Sequence, residues 1–185
     1  MPTASLPRAR SPRPIGSDPR RHGTPPLVLG LDPGLHRTGY GALEADAGRP
    51  RVREVGVLAT PPRQAMADRL FQLYRDVDRL LRDLRPGVVV LEDLFVHGRF
   101  PRTAIVLGHA RGIILLAAAA RGVRVLELAP AVVKRAVAGN GRASKAQVQS
   151  AVRGLLGLRP LADAHAADAL ALAYAGLHRA MGARR

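Results

Sequence analysis

Two short apolar runs each close on a carboxylate, and this pattern constrains the fold more than any other feature of the chain. Leu27-Val28-Leu29-Gly30-Leu31 ends in Asp32, and Val88-Val89-Val90-Leu91 ends in Glu92. Apolar runs of this length, without alternation, suit strands buried on both faces of a sheet. In open α/β sheets ligands bind at the carboxyl ends of the strands, where both acids fall. Each acid also has a plainer reading. Asp-Pro-Gly is ordinary turn chemistry, and Glu92 could be a solvated strand end.

The remaining elements follow from periodicity and punctuation. Thr38–Leu43 and Val52–Ala59 have strand character, with a break between them that contains Gly48, Arg49 and Pro50. Three strands with short connections predict an antiparallel meander. From Met66 to Leu84 apolar residues recur at steps of three and four, one stripe of a helix. Thr60 is its expected cap, Pro61 suits its first turn, and Pro86-Gly87 ends it. A second helix is expected over Arg102–Ala120. It is apolar on most faces, so it should be central or at a subunit contact, and Gly108 and Gly112 would permit close packing. Val123–Leu128 reads as a fifth strand. Pro130 opens a short helix that ends near Gly139-Asn140-Gly141. Ser144 and Gln147 form a capping-box pattern for the next helix. A last helix runs from about Asp163 to Ala180, with Asp163 as its N-cap or, alternatively, an outer ligand. Strands first, then strands alternating with helices, give an α/β fold with a mixed five-stranded sheet flanked by helices.

The chain has 185 residues, enough for one domain with a sizeable core. Residues 1–26 stand apart: they hold seven of the 15 prolines and five arginines against one acid, Asp18. They read as a disordered basic tail before a domain over 27–180, with 181–185 a flexible C-terminus. No cysteine is present, which excludes disulfides and thiolate metal sites. The net charge of +15 favours a polyanionic partner, with nucleic acid first. A general excess of arginine in composition is the competing explanation. No segment reads as membrane-spanning, because the most apolar run, Ile113–Ala120, is far short of about 20 residues. No secretory signal core is evident, so a cytoplasmic protein is expected.

His165 and Asp168 lie three apart on the last helix and therefore share a face. Asp168 sits among Ala166, Ala167, Ala169 and Leu170, where an ionised carboxylate is costly unless paired or metal-bound. Together with Asp32 and Glu92 these residues make a hard-metal donor set. Two divalent ions about 4 Å apart would suit phosphodiester hydrolysis. Taken alone, His165 also reads as an ordinary polar histidine. Of 29 basic residues only Lys134 and Lys145 are lysines. Lys145 falls in the first turn of a helix, where a cation opposes the helix dipole unless an anion docks there. It could equally be a solvated surface lysine.

Several segments, in order, resemble the RuvC family of Holliday-junction resolvases. They are Leu29–Gly34 with Thr38–Gly41, Leu91-Glu92-Asp93-Leu94-Phe95, Gly108–Gly112 (GHARG), Pro130–Gln149 and His165–Ala171 (HAADALA). The resemblance spans about residues 27–178. It implies an RNase H-like fold and a structure-selective DNA endonuclease that makes paired symmetric nicks in recombination and repair. It implies catalytic, metal-holding Asp32, Glu92 and Asp168. The fourth position, often aspartate in the family, is His165 here, and an imidazole tilts preference from Mg²⁺ towards Mn²⁺. Lys134 and Lys145 match the family's basic residues on DNA, with Lys145 also serving the chemistry. Phe95 matches an aromatic that stacks on junction bases, though a core phenylalanine is the alternative. The resemblance further implies a homodimer, a four-way DNA junction as substrate and a branch-migration motor as partner. Two other readings stand beside it: a different RNase H-like nuclease acting on structured RNA, and a non-catalytic junction-binding protein.

Overall fold

A computed structural model describes residues 27–46, 49–93, 101–159 and 163–182. The basic tail and Phe95 lie outside the described residues.

Strands β1 (Val28–Asp32), β2 (Arg37–Asp46) and β3 (Arg49–Ala59) form the antiparallel meander. Strands β4 (Val88–Glu92) and β5 (Arg124–Leu128) add to the other side of β1 in parallel. The sheet order is β3-β2-β1-β4-β5, so the two strands that end in acids are adjacent at the centre. The meander strands are longer than expected. Arg49 and Pro50 belong to β3 instead of the break, because the pairing of β2 with β3 continues out to Asp46 and Arg49.

Alternation along the central strands divides the core in two. Val28, Val88 and Val90 pack with helix α5 (Ala164–Gly182) on one face. Leu29, Leu31, Val89 and Leu91 pack with helices α1 (Met66–Leu84) and α2 (Pro101–Ala120) on the other. Period-2 geometry then sends the side chains of Asp32 and Glu92 to the α5 face. Helix α5 lies hard against the sheet because the strand positions beneath it are glycines. A Cβ on Gly30 would stand 2.1 Å from the Ala169 carbonyl oxygen, and one on Gly39 would stand 2.0 Å from that of His165.

The expected start of the first long helix, with Thr60 as cap and Pro61 in its first turn, is corrected. Helix α1 begins at Met66 behind Ala65, with no side-chain cap. Thr60 is instead buried; its hydroxyl donates to the Leu35 carbonyl and its N–H to that of His36 at 3.1 Å. The helix ends on Arg85, a left-handed cap (φ 49°) whose N–H bonds Leu81, just before Pro86 forbids continuation. Gly108 and Gly112 do not mediate close packing among the described residues, since a Cβ on either would meet none of them within 4 Å. Thr103–Ala120 is, by length and composition, apolar enough to cross a membrane, with a mean hydropathy of 1.7. In the fold one side of it is core: Ala110, Ile114, Ala117 and Ala118 are fully buried. Its other side carries the exposed Ile105 and Leu116.

The last connection follows the expected signals. Helix α3 (Pro130–Ala138) stops on Gly139 in a left-handed conformation, and α4 (Lys145–Leu156) starts with a complete Ser144/Gln147 capping box.

Candidate active site

Asp32 and Glu92 occupy neighbouring strand ends, and the first turns of α5 cross above them. His165 Nδ1 lies 2.7 Å from Asp32 Oδ2. With the Nδ1 proton donated to the carboxylate, a neutral ring keeps its Nε2 lone pair free. One turn further along α5, Asp168 Oδ2 lies 2.6 Å from Lys145 Nζ, and Gln149 Nε2 is 3.5 Å from the other carboxylate oxygen. Lys145 was expected to need an anion at the N-terminus of its helix, and Asp168 supplies one.

The electrostatics bind Glu92 and Lys134 into the same group. Burial raises the pKa of Asp32, and the neighbouring Asp168 raises it further, against the opposing bond and charge of His165 and the charge of Lys145. Glu92 is raised first by burial, then by Asp32 and Asp168, with Lys134 and Lys145 pulling the other way. The hydrogen bond from Lys145 to Asp168 raises the lysine above its ordinary value. Three carboxylates thus act on one another, relieved by two lysines.

That crowding is what a hard cation would relieve, and oxygen with imidazole is a suitable donor set for one. Among the described residues no three acidic or imidazole side chains converge tightly enough to hold an ion as they stand. Asp32 is turned to His165 and Asp168 to Lys145.

The Asp32-Pro33-Gly34 segment does turn duty as well: the Thr38 hydroxyl donates to the Gly34 carbonyl at 2.7 Å. Asp163 acts as a cap, accepting the His165 N–H at 2.8 Å, and it also pairs with Arg37 at the start of β2. Burial pushes the Asp163 pKa up, but the bonds from Arg37 and the His165 N–H outweigh it and hold the group below its usual range. Sequence reasoning missed Arg37, for which no local signal exists. It also missed Arg111, whose signal was a lone charge inside an apolar helix. Phe95 cannot be placed in the site, because it lies outside the described residues.

A mixed sheet of this order, with acids ending two adjacent parallel strands and a third on a crossing helix, is the arrangement of the RNase H-like class. The model of the crossover junction endodeoxyribonuclease RuvC family matches residues 28–176. A crossover junction endodeoxyribonuclease RuvC of Syntrophomonas wolfei is 44% identical over 82% of this chain and 88% of its own length. The Thermus thermophilus RuvC, solved in complex with a Holliday junction substrate, superposes with a TM-score of 0.77. It is 35% identical over 85% of this chain and 96% of that one. The yeast mitochondrial Holliday junction resolvase shares the fold alone, with a TM-score of 0.63 at 16% identity, over 85% of this chain and 80% of that one. The chain belongs to the RuvC family of crossover junction endodeoxyribonucleases.

Proposed function

We propose that this protein resolves four-way DNA junctions by paired, symmetric nicks, with Asp32, Glu92, His165 and Asp168 holding the metal. One observation carries the assignment of residues. Three carboxylates close enough to shift one another's pKa lie beside two lysines, one of them, Lys145, paired with Asp168. Metal dependence comes with the family. The finer proposal is two ions, with Mn²⁺ at least as effective as Mg²⁺ because His165 brings a nitrogen donor.

When bound, the metal supplies an activated water and offsets charge on the leaving oxygen. The chain's own residues do the rest. The strand ends present Asp32 and Glu92 on the α5 face, and the Asp32–His165 bond fixes the ring orientation. Lys145 is exposed on the first turn of α4, where its ammonium can exchange Asp168 for a phosphate oxygen. Lys134, half-buried on α3, adds charge from the same rim. Phe95 is proposed to stack on junction bases.

A homodimer is the proposed working form, since two-fold symmetry offers two like sites to two like strands. Helix α2 supports it with an outward stripe, Ile105, Gly108, Gly112 and Leu116, left uncovered by the other described residues. A cytoplasmic site of action and, from the family resemblance, a branch-migration motor as partner complete the proposal.

The deciding experiment is a nicking assay with added Mg²⁺ or Mn²⁺. Its substrates are a four-way DNA junction, a linear duplex of the same sequence and a structured RNA. Paired nicks in the junction alone are expected. Preferential cleavage of the RNA would replace this reading with the RNA-processing one, and tight junction binding without nicks would make the protein a non-catalytic binder.

A further inference from the structure

Arg111 is the one charged side chain buried among the described residues, at 8% exposed. It sits on α2, on the face of the sheet opposite the carboxylate cluster. Burying a guanidinium is costly unless its donors are met. Here they are met at two places. Nη2 pairs with the carboxylate of Glu127 on β5, and Nη1 donates to the main-chain carbonyl of Glu92 at 2.6 Å. The strand register explains how one side chain reaches both. Glu127 is the register partner of Leu91, so its side chain shares the α2 face, whereas the Glu92 side chain points to the α5 face.

The peptide that follows Glu92 is therefore held at both polar atoms. Its carbonyl takes the Arg111 bond, and its N–H, that of Asp93, donates to the Leu128 carbonyl at 2.8 Å. This is the last peptide of β4, bonded to β5 through its N–H and to Arg111 through its carbonyl.

We infer that Arg111 is a positioning residue for the nuclease reaction: from behind the sheet it fixes the backbone of Glu92 and so the aim of that carboxylate. The inference rests on the proposed role of Glu92 in holding metal. It adds a physical link that the dimer proposal lacks. Helix α2 presents Ile105 and Leu116 outward and Arg111 inward, so the helix that would meet a second subunit also grips the catalytic strand end.

The test uses the full-length protein and the variants Arg111→Lys, Arg111→Gln and Glu127→Gln. Three quantities are read: thermal stability, Mn²⁺ affinity of the metal-free protein by calorimetry, and single-turnover cleavage at saturating junction. Lysine keeps a charge for Glu127 but has no fork to reach both partners. Arg111→Lys is expected to fold and to bind junction as the wild type does without metal. Its Mn²⁺ affinity and cleavage should each fall about tenfold, the scale of losses from supporting residues at metal sites. Glu127→Gln leaves the bond to Glu92 in place and should stay within about threefold on both measures. The inference is overturned if Arg111→Lys matches the wild type in metal affinity and rate. It is equally overturned if Arg111→Gln and Glu127→Gln lose stability and rate in parallel, since that marks a plain structural ion pair. Should Arg111→Gln fail to fold, the lysine variant decides. The calorimetry separates this idea from the nuclease reading, because it gives an answer even if the wild type nicks no junction.

Discussion

Lys145 Nζ and Asp168 Oδ2 stand 2.6 Å apart, so the site's exposed lysine is held by one of the site's own carboxylates. The observed role of Lys145 is a charge for Asp168, and the proposed one is a charge for an incoming phosphate. Lys145→Ala is therefore expected to slow single-turnover cleavage by about 10²-fold, the scale for losing one stabilising donor, while weakening junction binding far less. Arg10→Ala, in the basic tail, should do the reverse: slightly weaker binding, a shallower salt slope and unchanged cleavage at saturating protein. Salt-dependent affinity and saturated cleavage for both variants check this. Parallel behaviour would place Lys145 in the general basic surface.

Asp32→Asn, Glu92→Gln and Asp168→Asn are each expected to abolish nicking and to keep junction binding. Near-normal cleavage by any one of them would remove that residue from the site.

Glu92 makes a second prediction through its raised pKa. A carboxyl that binds its proton more tightly folded than unfolded destabilises the fold above its unfolded pKa. That cost disappears as pH falls through the folded value. Metal-free Glu92→Gln should therefore melt above the wild type at neutral pH, and the gap should close on acidification. Melting curves of both proteins across pH check the sign, and a gap that widens in acid would contradict it.

His165→Asp should shift the metal preference towards Mg²⁺. Cleavage rates with each metal for both proteins give the ratio. An unchanged Mn²⁺-to-Mg²⁺ ratio would show that the imidazole is no ligand of consequence.

Asp163→Ala should cost about 1 kcal/mol as a lost helix cap. It should also slow cleavage, because the capped N–H belongs to His165 and the Arg37 pair is lost with it. Asp163→Ser keeps a capping oxygen but loses the ion pair. Recovery of stability without full recovery of rate is the expected outcome, measured by chemical denaturation and single-turnover cleavage.

The part of this protein that its sequence determines is local or periodic. Apolar runs ending in Asp32 and Glu92 place two acids at strand ends, because a strand buried on both faces must stop where a charge appears. Ser144 and Gln147 announce a helix start because both partners of that cap lie within four residues. The three-residue spacing of His165 and Asp168 sets them on one helix face. Misreadings came where tertiary bonds outbid local preference. Thr60 has the chemistry of a cap but spends its hydroxyl on Leu35, and the helix starts six residues later. Gly30 and Gly39, which admit α5 against the sheet, carried no such signal in the sequence. What only the tertiary structure decided is which distant groups meet: Asp32 with His165, Asp163 with Arg37, and the Glu92 carbonyl with Arg111. Each pair is separated by 19 residues or more in the chain and joined across a sheet face. No propensity or period encodes such a choice, because it depends on how closely a helix can settle on the strands below it.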